Sequence, residues 1–89
     1  MTELLYMLKV DLGIMSGAYD QRLVGHLKNA IIQIEREGAV LNMDSYADKS
    51  LVVMYAAWTW RRRDTMEGMP RMLRYQLNNK VLGANMRAE

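Results

Sequence analysis

The sequence predicts an all-α protein, a small bundle of about four helices in which the long second and third helices pack together. Apolar residues recur at the three- to four-residue spacing of helices along most of the 89 residues. Glycines separate these periodic segments, and the only proline, Pro70, stands where a helix can begin. One short apolar connector, residues 39–43, is expected to be extended or irregular, because no second strand is available to pair with it.

The first helix is expected to run from Thr2 to about Leu12, with Thr2 as its N-cap. A loop over residues 13–17 follows, because glycine stands at both of its ends. The apolar pair in this loop, Ile14 and Met15, is expected to be tucked under the first two helices. The inward stripe of the first helix is formed by Leu5, Leu8 and Leu12.

The second helix is predicted to start near Tyr19 or Asp20 and to run to Glu37, with Gly38 as the terminating residue. Its length and its clear amphipathic pattern make it the most regular helix of the chain. The opposite side carries Ile32, which is exposed in a monomer and is also a candidate for a subunit contact. The inward face is formed by Leu23, Leu27, Ala30, Ile31 and Ile34.

The third helix is predicted to start between Asp44 and Asp48, both candidate N-caps, and to end around Arg63 to Thr65. Its central segment, residues 51–60, has no polar side. A helix that is apolar all round must be surrounded by other parts of the protein or by a partner. Since the chain is short, this helix suggests an assembly of several subunits.

The fourth helix is expected to begin with Pro70 as its first residue and to end at Gly83. This places one helical domain at residues 1–83 and leaves residues 84–89 as a short mobile tail. One face of this helix is apolar and carries Leu73, Leu77 and Val81. A different face carries Arg71, Arg74 and Asn78.

Composition excludes several classes of site and of location. The sequence has no cysteine, so it has no disulfide, thiolate zinc site or thiol nucleophile. Its longest apolar stretch is far shorter than the ~20 residues that a membrane-spanning helix needs. The first residues, Met-Thr-Glu, lack the basic segment of a signal peptide. A net charge of +2 is compatible with transient nucleic-acid contact but does not indicate a DNA-binding protein.

Catalytic and metal-binding patterns are not found in the sequence. The only histidine, His26, has no expected nucleophile or carboxylate partner, so we predict a structural or surface role. Asp44 and Asp48 lack the glycine and the distal glutamate of a calcium loop, and Gly13 and Gly17 lack the Lys-Ser/Thr pair of a phosphate loop. We therefore expect no enzyme, no bound metal and no cofactor.

The strongest charge feature is the arginine run 61–63, which follows Trp58 and Trp60 directly. Three roles compete: dipole neutralisation with ion pairs to Asp64, Glu67 or another subunit, bidentate pairing across a protein interface, and contact with a nucleic-acid backbone. The tryptophans favour the interface. Trp60→Ala or Arg62→Glu is then expected to disrupt assembly while helical content stays nearly unchanged. The predicted interface comprises Trp58, Trp60, Arg61, Arg62, Arg63, Arg71 and Arg74.

Three blocks of sequence carry a family resemblance: LLYMLKVDLGI at 4–14, DQRL with the following AI and IE pairs at 20–35, and YAAWTWRRR with MP and LR at 55–74. With these blocks the chain resembles the small head–tail connector proteins of long-tailed bacteriophages and prophages, also called head-completion or adaptor proteins. The resemblance is one of pattern over nearly the whole chain. The tail after Gly83 is short for an extended docking arm.

The resemblance implies a structural virion protein without catalytic residues. Such a subunit forms a homo-oligomeric ring of about twelve copies under the portal protein after DNA packaging. The ring joins the DNA-filled head to a tail-side stopper or tail-completion protein, and DNA passes through it without sequence-specific binding. Its expected location is the head–tail junction of the virion, and the host bacterial cytoplasm during assembly.

Two other classes remain open from the sequence. A small helical DNA-binding regulator of phage or bacterial origin would bind duplex DNA with steep salt dependence. Against it, no short helix-turn-helix spacing is evident around a solvent-facing recognition helix. A small enzyme would need a site that the sequence does not show.

Overall fold

The computed structural model describes residues 1–63 and 68–88, with side chains through Ala84. Its described part is all-α, without strands, which confirms the predicted fold class. The second and third helices pack together more extensively than any other pair, also as predicted. Among these residues, no helix is both long and apolar enough to cross a membrane. The helices are α1 (Thr2–Leu12), α2 (Asp20–Arg36), α3 (Tyr46–Arg62) and α4 (Arg71–Ala88).

Two glycines in the left-handed region end the first two helices. Gly13 has a φ of 73° and closes α1 with hydrogen bonds from its N–H to the Lys9 and Val10 carbonyls. Gly38 has a φ of 104° just after α2, in agreement with its predicted role. The N-cap prediction for α1 is wrong, because Thr2 is already helical and Met1 precedes it without a side-chain cap.

The start of α3 lies between Asp44 and Asp48, as expected, but neither aspartate caps it. Ser45 is the N-cap, and its hydroxyl accepts a hydrogen bond from the Asp48 N–H at 3.4 Å. The Asp48 carboxylate accepts instead from the Asn42 N–H at 2.7 Å and pairs with the Lys80 ammonium at 2.9 Å. This buried carboxylate therefore joins the irregular connector at residues 39–43 to α3 and α4.

The predicted end of α4 at Gly83 is wrong. The helix begins at Arg71, directly after Pro70, whose carbonyl accepts from the Arg74 N–H at 3.0 Å. It continues through Gly83 to Ala88, because Gly83 keeps a negative φ. A glycine inside a helix costs only about 1 kcal/mol, and termination requires the left-handed conformation that Gly83 does not adopt. Residues 84–88 are therefore helical, while Glu89 lies outside the described residues.

The core is built around α3, which the chain itself encloses. α1, α2 and α4 all pack against α3, so each side of this apolar helix has a neighbour from the same chain. The burial of α3 therefore needs no second subunit. The expected shortage of surrounding material is not found, so this helix by itself does not indicate an assembly. Its buried residues between 51 and 60 are Leu51, Val52, Val53, Tyr55, Ala56, Ala57, Trp58, Thr59 and Trp60.

The loop after α1 places its two apolar residues differently. Ile14 is partly buried against the core, whereas the Met15 side chain is 95% exposed. The Ile14 N–H donates to the Lys9 carbonyl at 2.9 Å, which holds Ile14 against the end of α1, so only this residue of the pair faces the helices. The expectation that both are tucked under the first two helices is wrong for Met15.

Candidate interaction surfaces

The Trp60 ring lies in the core between α2 and α3, not on the surface. Only 7% of Trp60 is exposed. The Tyr19 and His26 rings meet it edge-on, with centroid distances of 5.6 and 5.5 Å. The Arg63 guanidinium lies 3.8 Å from the centre of the Trp60 ring and donates to the Trp60 carbonyl at 2.6 Å. Trp60 therefore stabilises the domain and offers almost no area to a partner.

The Trp58 ring is enclosed in a similar way. Its edge contact is Tyr55, at a centroid distance of 5.4 Å, and the Arg62 guanidinium lies 4.4 Å from its ring centre. The Arg62 side chain is exposed, so its guanidinium stays in contact with solvent while it stabilises the aromatic pair beneath it. Burial raises the pKa of the Tyr55 hydroxyl, and the Glu37 carboxylate raises it further, against the opposing charges of Arg62 and Arg74.

The remaining predicted interface arginines differ in their partners. The Arg61 guanidinium pairs with the Asp11 carboxylate of α1 at 3.3 Å, and the Arg74 guanidinium pairs with Glu37 at 2.7 Å. Arg71 is exposed and has no ion-pair partner within residues 1–63 and 68–84. The predicted pairings with Asp64 and Glu67 lie outside the described residues. The assignment of the five arginines to an interface stays a prediction. The two tryptophans of the predicted interface are buried and offer almost no area to a partner.

His26 has a structural position. Its Nδ1 lies 2.8 Å from the Thr59 hydroxyl oxygen, and that hydroxyl lies 2.9 Å from the Ala56 carbonyl, to which it donates. Because Thr59 has only one hydrogen to donate, His26 Nδ1 must donate to Thr59. Burial lowers the pKa of His26, and the positive charge of Arg63 lowers it further. The imidazole therefore links α2 to α3 through Thr59, and its surroundings disfavour the protonated form.

An exposed apolar face on α1 was not predicted from the sequence. We call Tyr6, Val10 and Met15 the α1 face; all three are more than half exposed. Tyr6 and Val10 are four residues apart, on the side of the helix away from buried Leu4 and Leu8. The spacing of Tyr6 and Val10 can be read from the sequence, but it does not show that the fold leaves these residues exposed.

A comparable face exists on α4. We call Met72, Tyr75 and Leu82 the α4 face, and each is more than half exposed. At about 100° per residue, these three side chains lie within roughly 80° of one another and opposite buried Leu73 and Leu77. The α4 face therefore points away from the core, and its apolar atoms are in contact with solvent.

Comparisons with protein-family models, curated proteins and solved structures give no match for this chain. The resemblance to connector proteins therefore remains a prediction from the sequence. Among the described residues, no group of three or more histidine or acidic side chains is placed to hold a metal ion. The features available for a functional argument are the α1 face, the α4 face and the arginines near the end of α3.

Proposed function

We propose that this chain is a structural assembly protein, a head–tail connector (adaptor) subunit of a bacteriophage or prophage. The observation that carries the proposal is that the domain encloses its own core and still exposes two separate apolar faces, on α1 and α4. Single exposed apolar residues are common, but grouped ones mark interaction surfaces. Two such faces on a packed domain suit a protein whose work is contact with neighbours.

Two different faces are what a ring subunit requires. In a ring, each copy contacts one neighbour with one surface and the other neighbour with another surface. Faces on two different helices meet this requirement without any change in the fold. The proposed ring lies under the portal protein, with a tail-side stopper or tail-completion protein on its other side, as the family resemblance implies.

The charge distribution supports a channel through which DNA passes without sequence-specific binding. The net charge is only +2, and Arg61 and Arg74 are paired with carboxylates. Neutralised arginines contribute little to phosphate binding, which grows with the number of phosphates contacted. In this proposal the chain makes and breaks no bonds. It acts by position at the head–tail junction, after assembly in the host bacterial cytoplasm.

The test is native mass spectrometry across a concentration series, with negative-stain imaging of the same samples, with and without purified portal protein. The proposal predicts closed rings of about a dozen copies, in solution or on the portal. A second arm measures duplex DNA binding from low to high salt. Failure to bind or assemble on the portal, together with steeply salt-dependent duplex binding, would replace this proposal with the DNA-binding regulator.

A further inference from the structure

We infer that the α1 face of one copy is the docking site for the α4 face of a second copy. This inference rests on the proposed function, and it specifies which two surfaces meet. The contact is head-to-tail, because the two copies use different surfaces. Each pair then has one free α1 face and one free α4 face, so further copies can add until the assembly closes.

The shape of the α1 face suits a helix as its partner. Tyr6 and Val10 form a ridge with a groove on each side, because both residues line both grooves. One groove, of about 470 Å³, extends to Met15, and the other, of about 410 Å³, extends to Tyr46 and Met54. Helices pack by placing the side-chain ridges of one into the grooves of another.

The α4 face supplies such a ridge. Met72, Tyr75, Asn79 and Leu82 follow one another at spacings of three, four and three residues, so their side chains form a row along the helix. Three of the four are apolar, and Asn79 is the exposed polar member of the row. The aromatic ring of Tyr75 and the flexible side chain of Met72 are types that fill irregular grooves well. Covering both faces at once would remove six exposed apolar side chains from water per contact.

Charge favours this pairing over a contact between two α4 faces. Residues 71–84 carry Arg71, Arg74 and Lys80 and no carboxylate. Glu37 and Asp48 compensate Arg74 and Lys80, but Arg71 has no ion-pair partner among the described residues. A contact between two α4 faces would therefore add a second uncompensated arginine and no carboxylate to pair with it. The α1 face is bordered by Glu3 and Asp11, whose side chains stay 63% and 48% exposed while they pair with Lys49 and Arg61. The Lys9 ammonium beside the first groove is compensated by Asp20 at 2.8 Å. Of the two faces, only the α1 face is therefore bordered by accessible carboxylates that can approach Arg71.

The experiment uses one substitution on each face and a matched control. Val10→Asp places a charge in the α1 face, and Met72→Asp places one in the α4 face. Val40→Asp is the control, because Val40 is 68% exposed and Val10 is 63% exposed, and Val40 belongs to neither face. Far-UV circular dichroism checks that all variants are folded. Association is then measured by sedimentation velocity over a concentration series.

The inference predicts that each face variant alone associates at least about tenfold more weakly than the unchanged chain, while Val40→Asp associates normally. Mixing the two variants should restore one contact. The intact α1 face of Met72→Asp then binds the intact α4 face of Val10→Asp, and a 1:1 dimer forms that cannot grow. A contact between two α1 faces would instead let Met72→Asp dimerise alone.

Three results would overturn the inference. They are dimers of Met72→Asp alone, unchanged association of either face variant, and an unchanged chain that remains a monomer up to about 1 mM. Rings on the portal that survive both substitutions would refute this docking while leaving the connector proposal standing. Head-to-tail dimers in the mixture, with no binding to portal protein, would support this docking and refute the connector proposal.

Discussion

Replacement of Trp60 by alanine tests most directly whether this residue belongs to the core. Sequence alone places Trp60 at an interface, so that Trp60→Ala would leave helical content nearly unchanged. The structure buries 93% of the residue, in contact with the rings of Tyr19 and His26. We therefore expect Trp60→Ala to destabilise the isolated domain itself.

The size of the effect follows from the area that is lost. A tryptophan side chain buries about 150–250 Å², which at about 25 cal/mol per Å² corresponds to roughly 4–6 kcal/mol. Alanine keeps a small part of this burial, so the expected loss is about 3–5 kcal/mol. For 89 residues, the total free energy of unfolding is on the order of 4–13 kcal/mol. Trp60→Ala should therefore bring the domain close to unfolding.

The assay is urea denaturation of the isolated chain at low concentration, followed by far-UV circular dichroism. Trp60→Phe is the conservative control and should retain most of the stability, because it keeps an aromatic ring in the same contacts. Arg62→Ala should cost no more than about 1 kcal/mol, since its guanidinium stacks on Trp58 at an exposed position. A Trp60→Ala variant within about 1 kcal/mol of the unchanged chain, but unable to associate, would refute this reasoning.

Three further predictions concern substitutions at single positions. Asp48→Asn should lower the free energy of unfolding by about 2 kcal/mol in urea denaturation, because the charged acceptor for the Asn42 N–H and the Lys80 ammonium is lost; an unchanged midpoint would contradict it. The free energy of unfolding should fall by at most about 1.4 kcal/mol per pH unit as the pH drops below about 6.5, because the unfolded chain binds a proton that folded His26 resists. His26→Gln should remove this component, and an identical pH profile in that variant would exclude His26 as its source. Gly38→Ala should lower the free energy of unfolding by about 1–2 kcal/mol, because the φ of 104° at this position strains any residue with a Cβ. Gly25→Ala in α2 should instead raise the free energy of unfolding by up to about 1 kcal/mol. Thermal unfolding checks both variants, and a change of the same sign in both would refute the backbone argument.

The all-α fold and most helix ends were predictable because they depend on nearby residues. Gly38 ends α2 as expected, since a left-handed residue is needed there and glycine adopts it without strain. Gly83 carries the same local signal but lies inside α4. The difference between these glycines is conformational, and residue identity does not reveal it.

The candidate surfaces were less predictable than the fold. Trp58 and Trp60 next to three arginines resemble an interface composition, yet in this protein the arginines stack on tryptophans that belong to the core. The faces on α1 and α4 were hidden because each helix also has a buried apolar side. Periodicity identifies apolar stripes, but it does not determine which of two stripes the fold covers.

The sequence by itself determined the helical class, the approximate helix boundaries and the wholly apolar character of the segment at 51–60, because helical periodicity and turn residues act over a few positions. Only the tertiary structure decided that α1, α2 and α4 enclose this segment within one chain. It also decided that Tyr6, Val10, Met72, Tyr75 and Leu82 remain exposed. The physical reason is that burial depends on which helices meet, and those contacts join residues far apart in the chain.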